Sequence, residues 1–119
     1  VVHPATEDCL YLNIIAPNRS SVSSLSPILF FIHGGAFEIG NARMYGYEEF
    51  AEAYAKQGVV VVTIQYRIGV LGFLTLTASL TAQSMNGNYG MLDQVAALKF
   101  VHRNIKKLGS YPKCPPPPP

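Results

Sequence analysis

His33, Gly34, Gly35, Ala36 and Phe37 follow directly on an apolar run, and Gly40 closes the stretch ILFFIHGGAFEIG. Glycine at the end of a strand admits backbone conformations and close approaches that side chains forbid. Two chemistries use that freedom. Phosphate cradling needs G-x-G-x-x-G or G-x-x-x-x-G-K-[ST]. Here the glycines stand at 34, 35 and 40 with no Lys-Ser or Lys-Thr behind them, which argues against a nucleotide site. The other chemistry is an oxyanion hole, in which adjacent backbone N–H groups meet the oxygen that turns negative during acyl transfer. A His-Gly-Gly loop leaving a strand is a device of that kind. A tight turn with no ligand is the plain alternative.

Elements able to position such a loop are legible on both sides of it. Leu10 to Ile15 (LYLNII) is β-leaning and stops at Pro17, and NRSSVSSLSP then reads as a surface loop. Within that loop Asn18-Arg19-Ser20 fits the N-glycosylation acceptor pattern, making Asn18 a candidate. Ile28 to Ile32 is a short unbroken apolar run, as expected of a strand covered on both faces. Tyr47 to Gln57 shows helical spacing of Phe50, Ala51, Tyr54 and Ala55, with Glu48, Glu49, Glu52 and Lys56 opposite and Gly58 as a stop. Those glutamates fit a solvated face near a helix start. Val59 to Gln65 (VVVVTIQ) holds the clearest strand. A second helix is expected over 91–108, with Leu92, Val95, Ala96, Val101, Ile105 and Leu108 on its apolar face and Gly109 after it. Strand, loop, helix, strand is a βαβ unit, so the fold class is α/β.

Bulk properties narrow the function. The 119 residues are 49% hydrophobic with a formal charge of +2, which suits one packed domain. Basic residues are scattered without an aromatic stripe, so no nucleic-acid surface is expected. Lys106 and Lys107 sit where cations favour a helix C-terminus. No apolar run approaches the roughly 18 residues of a membrane span, and VVHPATED lacks the features of a signal peptide. Cys9 and Cys114 have no metal-ligand spacing, and neither a metal nor a cofactor is expected. After GSYPKC the chain reaches Pro115 to Pro119, where an α/β pattern calls for another strand. The expected organisation is a partial domain over 1–112 and a proline-rich tail over 113–119 with no fixed structure. The chain reads as cut short. Five prolines could also adopt polyproline II and meet an SH3 or WW groove, a weak signal without flanking specificity residues.

Four segments carry a resemblance. EDCLYLN (7–13), IHGGAF (32–37), QYRIGVLGF (65–73) and GNYGMLDQVAAL (87–98) resemble, in order, segments of the type B carboxylesterase and cholinesterase family. They are spaced along the chain so that the resemblance extends over the range from about Thr6 to Pro112. The resemblance implies the N-terminal portion of an α/β-hydrolase sheet, incomplete, and a serine esterase acting on a small-molecule carboxylic ester. It implies that the backbone N–H groups of Gly35 and Ala36 are oxyanion donors and that Gly34 permits the turn. Ala36 stands where many relatives have glycine, a tolerable change because the backbone does the work. Arg67 and Asp93 match positions expected to form a buried structural ion pair, and Glu7 and Asp8 are also expected to be structural. Cys9 matches a cysteine that forms a disulfide in the family, with its partner expected upstream of Val1. Gln65 replaces the usual asparagine, and Phe100 sits where many relatives have tryptophan.

One departure is large. No serine in the sequence sits in G-x-S-x-G, and the acid and general-base histidine that follow in the family are absent too. His33 belongs to the glycine loop, and neither His3 nor His102 is promoted to a base. The expectation is a partial esterase domain that is inactive as an isolated chain. The alternative is a fragment of a non-catalytic adhesion relative of the neuroligin type. The family's habit suggests the secretory pathway or the cell exterior, and only Asn18 lends support from the residues themselves.

Overall fold

The computed structural model describes residues 6, 8–18, 26–75, 87–104 and 107. Strands β1 (Leu12–Ile15), β2 (Ile28–Ile32) and β3 (Val60–Ile64) form one sheet in the order β1-β3-β2. β3 lies in the middle because its sequence is apolar on both faces, and all five of its residues are buried. Val60, Val62 and Ile64 pack with Tyr66 and Val101 on one side, while Val61 packs with Ile15 and Ala55 on the other. That alternation is the period-two geometry of a strand. β2 runs parallel to β3 with Ile28 opposite Val60, and β1 runs antiparallel with Leu12 opposite Ile64. The parallel pair requires a crossover, supplied by α1 (Tyr47–Ala53).

Expected boundaries shift for physical reasons. The first strand starts at Leu12 rather than residue 10, although the Tyr11 carbonyl still accepts from Gln65 N–H at 2.8 Å. The helix expected over 47–57 breaks at Tyr54, whose φ of −128° leaves the helical region, and Ala55–Gln57 continues as a 3-10 turn. Gly58 then stops the segment in the left-handed conformation. A short helix α2 (Gly69–Phe73) is present where the sequence pattern shows only a way out of the strand. The long helix α3 begins at Tyr89 and runs to Asn104, while Ile105, Lys106 and Leu108, expected on its last turn, lie outside the described residues.

The buried face of α3 differs from the expected one. Gly90, Asp93, Gln94 and Val101 are buried, whereas Leu92, Val95 and Ala96 are exposed. The helix is apolar on more than one side, so spacing alone could not say which side meets the sheet. Asp93 decides it, because its carboxylate binds Arg67 beyond the end of β3.

Candidate functional site

The chain leaves β2 through His33, which is only 2% exposed. Its ring stacks on Tyr66 with centroids 4.4 Å apart, and the Tyr66 hydroxyl donates to the His33 carbonyl at 2.7 Å. Burial, with the charge of a Tyr45 phenolate as a smaller influence, raises the Tyr66 phenol above its ordinary pKa, so it remains a neutral donor. These contacts fix the root of the glycine loop against the sheet's central strand.

Beyond that root the backbone is forced. Gly35 has φ of +127°, and a Cβ there would stand 1.9 Å from the Ile39 carbonyl oxygen. No other residue fits without moving the loop. Ala36 and Phe37 follow with φ of 54° and 64°, in the left-handed region that costs side-chain-bearing residues roughly 1–2 kcal/mol each. Bonds from within the chain oppose that cost. The Gly35 carbonyl accepts from Glu38 and Ile39 N–H, both at 3.0 Å, and the Phe37 carbonyl accepts from Gly69 N–H at 2.6 Å. The Gly34 carbonyl lies 3.1 Å from His33 Nδ1. Gly34 N–H is turned to the Tyr45 hydroxyl at 3.4 Å.

The N–H groups of Gly35, Ala36, Phe37 and Gly40 have no acceptor among the described residues, and of these Gly35 and Ala36 are the adjacent two whose own peptide carbonyls are anchored. In a trans peptide the N–H points away from the carbonyl of the same unit. Anchoring the carbonyls of Gly34 and Gly35 therefore turns the amides of Gly35 and Ala36 to the other side. Two adjacent, held, unpaired donors are an arrangement able to bind an oxygen that gains charge. Beside them runs an open groove of about 600 Å³, with Ala36, Phe37, Val70, Phe73 and Leu74 in its lining. The rings of Phe37 and Phe73 lie 4.7 Å apart there.

Arg67 and Asp93, singled out in the sequence, do meet. Arg67 Nε and Nη2 donate to Asp93 Oδ2 and Oδ1, both at 2.7 Å, and Arg67 N–H adds a bond to Oδ2 at 3.1 Å. Burial works to raise the Asp93 pKa, but the hydrogen bonds and charge of Arg67 outweigh it and hold the carboxyl below its usual range. Arg67 also lies 5.2 Å from the Tyr89 ring centroid. The pair fastens α3 to the segment after β3 and stands apart from the unpaired amides in its bonding. Cys9 is half-buried and its thiol is free among the described residues, and Asn18 is exposed. Glu7, Cys114, His3 and the prolines 115–119 lie outside the described residues.

Sequence reasoning missed Tyr45, Tyr66 and Gln65 as supports of the loop. Gln65 Oε1 accepts from Ala42 N–H at 2.9 Å and so steadies the turn after Gly40. Tyr66 and Gln65 fall within the QYRIGVLGF segment, but nothing in their spacing points back to His33. Among the described residues no group of three His, Cys, Asp or Glu side chains could hold a metal ion. No helix among them is long and apolar enough to cross a membrane.

The mixed sheet with its helices is the N-terminal portion of an α/β-hydrolase fold, as the solved structures it resembles show. The chain belongs to the carboxylesterase family, whose profile matches residues 2–114. It is similar to gut esterase 1 of Caenorhabditis elegans, 50% identical over 106 residues, covering 89% of this chain and 18% of that protein. It is 49% identical over 109 residues to the cocaine esterase of Oryctolagus cuniculus, covering 92% and 19%. Among solved structures, a carboxylesterase of Geobacillus stearothermophilus superposes with a TM-score of 0.72 at 46% identity, covering 90% of this chain and 23% of that one. A PNB esterase matches with a TM-score of 0.70 at 41% identity, covering 88% and 21%. The chain thus spans about a fifth of the length of these relatives.

Proposed function

We propose that this chain supplies the oxyanion-binding segment of a serine-dependent carboxylic-ester hydrolase. In that reading a serine in a G-x-S-x-G turn, carried outside these 119 residues, attacks the ester carbonyl. A histidine oriented by an acid takes the serine proton and returns it to the leaving alcohol. The N–H groups of Gly35 and Ala36 donate to the carbonyl oxygen as it becomes an alkoxide. The observation that carries the reading is the pair of adjacent amides, unpaired while their neighbouring carbonyls are anchored. It also favours a hydrolase over an adhesion relative, which has no use for such donors. Family resemblance supports an ester substrate, and the apolar groove at Phe37 and Phe73 suits an apolar acyl or alcohol part.

The test is a graft in which residues 8–104 replace the corresponding segment of the Geobacillus stearothermophilus carboxylesterase. The graft is expected to hydrolyse a p-nitrophenyl ester and to be labelled by an organophosphate. A folded graft that does neither overturns the reading. The isolated chain, with no nucleophile turn in its sequence, is expected to do neither, and stoichiometric labelling of it would remove the case for an outside serine.

A further inference from the structure

We infer that His33 is a positioning residue whose Nδ1–H, by holding the Gly34 carbonyl, sets the direction of the Gly35 amide. The inference rests on the proposed role of that amide and goes beyond it. A carbonyl oxygen only accepts, so the 3.1 Å contact requires the proton on Nδ1. The Gly34 oxygen and the Gly35 hydrogen belong to one planar peptide, and no peptide in the described chain is cis. Rotating that unit to pair the Gly35 N–H elsewhere would break the contact with His33. The ring itself is held in place, being 2% exposed, stacked on Tyr66, and closed in on another side by Gly40. A Cβ at residue 40 would stand 2.6 Å from the Gly34 oxygen and 3.0 Å from His33 Nδ1, so glycine there keeps the contact open. Nothing else among the described residues donates to the Gly34 carbonyl. His33 Nε2 is buried and has no partner among the described residues, so among them the ring's one hydrogen bond goes to this carbonyl.

Two substitutions separate direction from packing. His33→Phe keeps a flat ring against Tyr66 and removes the donor. His33→Asn gives up the stack and keeps an N–H close to the place of Nδ1. In the isotopically labelled 119-residue chain, the imidazole nitrogen spectrum is expected to show Nδ1 protonated. The Gly35 amide resonance is expected to move in His33→Phe and to return toward its original position in His33→Asn. In the graft, His33→Phe should lower kcat by about 10–100-fold, short of losing a donor outright, with KM changed far less. His33→Asn should recover most of that loss. A proton on Nε2, a Gly35 amide unmoved by phenylalanine, or full kcat in His33→Phe overturns the inference. An inactive graft with His33 intact counts against the proposed function alone, and the amide measurement on the chain still decides the role of His33.

Discussion

Replacing Asp93 by alanine tests how α3 is held to the sheet. The carboxylate is 6% exposed and accepts three bonds from Arg67, whose own side chain is 36% exposed. Breaking a buried pair by removing one partner costs about 3–5 kcal/mol. The stranded guanidinium reaches water here, so the expected loss is at the lower end, about 3 kcal/mol. Asp93→Asn keeps the volume and one acceptor while losing the charge, for a loss of about 1.5–2 kcal/mol. The measurement is urea unfolding of dilute, freshly filtered chain, followed by far-ultraviolet circular dichroism at neutral and acid pH. Because the folded Asp93 pKa is depressed, its stabilisation is complete above the unfolded value of about 3.9 and drains away as pH falls through the folded value. The gap between the parent and Asp93→Asn should therefore narrow below about pH 4. An alanine variant within about 1 kcal/mol of the parent, against the loss expected for a buried pair, would refute the reasoning. So would a gap that widens in acid.

Ala36→Gly should stabilise the chain by about 0.5 kcal/mol, because relief of the left-handed residue slightly exceeds the added freedom of the unfolded chain. The same urea titration reads it, and activity in the graft should hold because the N–H is retained. Gly35→Ala places a Cβ 1.9 Å from the Ile39 oxygen, so the loop must move, and kcat in the graft should fall at least ~100-fold. β2 has no second neighbour among the described residues, so its outer edge should pair between molecules, seen as concentration-dependent mass in light scattering. Ile32→Lys on that strand should reduce the association. Lys56→Ala should change stability by less than about 0.5 kcal/mol, because the Glu52–Lys56 pair is well exposed on both sides.

The sequence made β3 legible because an unbroken apolar run leaves little choice but a buried strand. The same pattern found β2 as a strand but not its cover, since β2 lies at the edge of this sheet, half-buried and with Ile32 exposed. It also pointed to Arg67 and Asp93, though only through resemblance. Their 26-residue separation carries no pattern that composition or spacing could reveal. Tyr54 shows another limit: its spacing continues a helix, yet Val59 N–H returns to its carbonyl at 3.1 Å and the chain turns toward β3. α3 shows a third. Leu92, Val95 and Ala96, expected on the packed face, are exposed, so periodicity found a helix and misassigned the face that meets these strands. The glycine loop is legible from its small residues. Its supports are not, because Tyr45, Gln65 and Tyr66 reach it from other segments.

Holding two amides without acceptors has a cost, and the loop shows where it is offset. Ala36 and Phe37 in the left-handed region cost about 2–4 kcal/mol together. Against this stand four hydrogen bonds to the Gly34, Gly35 and Phe37 carbonyls, each contributing about 1 kcal/mol. The two sums nearly match, so the loop has little stability of its own. Its shape depends on keeping every carbonyl anchor. The Gly35 oxygen has two donors and could lose one, whereas the Gly34 and Phe37 oxygens have one each among the described residues. The Phe37 anchor comes from Gly69, on the segment that Arg67 and Asp93 fasten to α3. Loosening the ion pair should therefore disturb the Ala36 amide as well as the helix, although Asp93 makes no bond to the glycine loop. Amide resonances of Gly35 and Ala36 in Asp93→Asn would show it, and a loop unchanged while α3 loosens would separate the two parts.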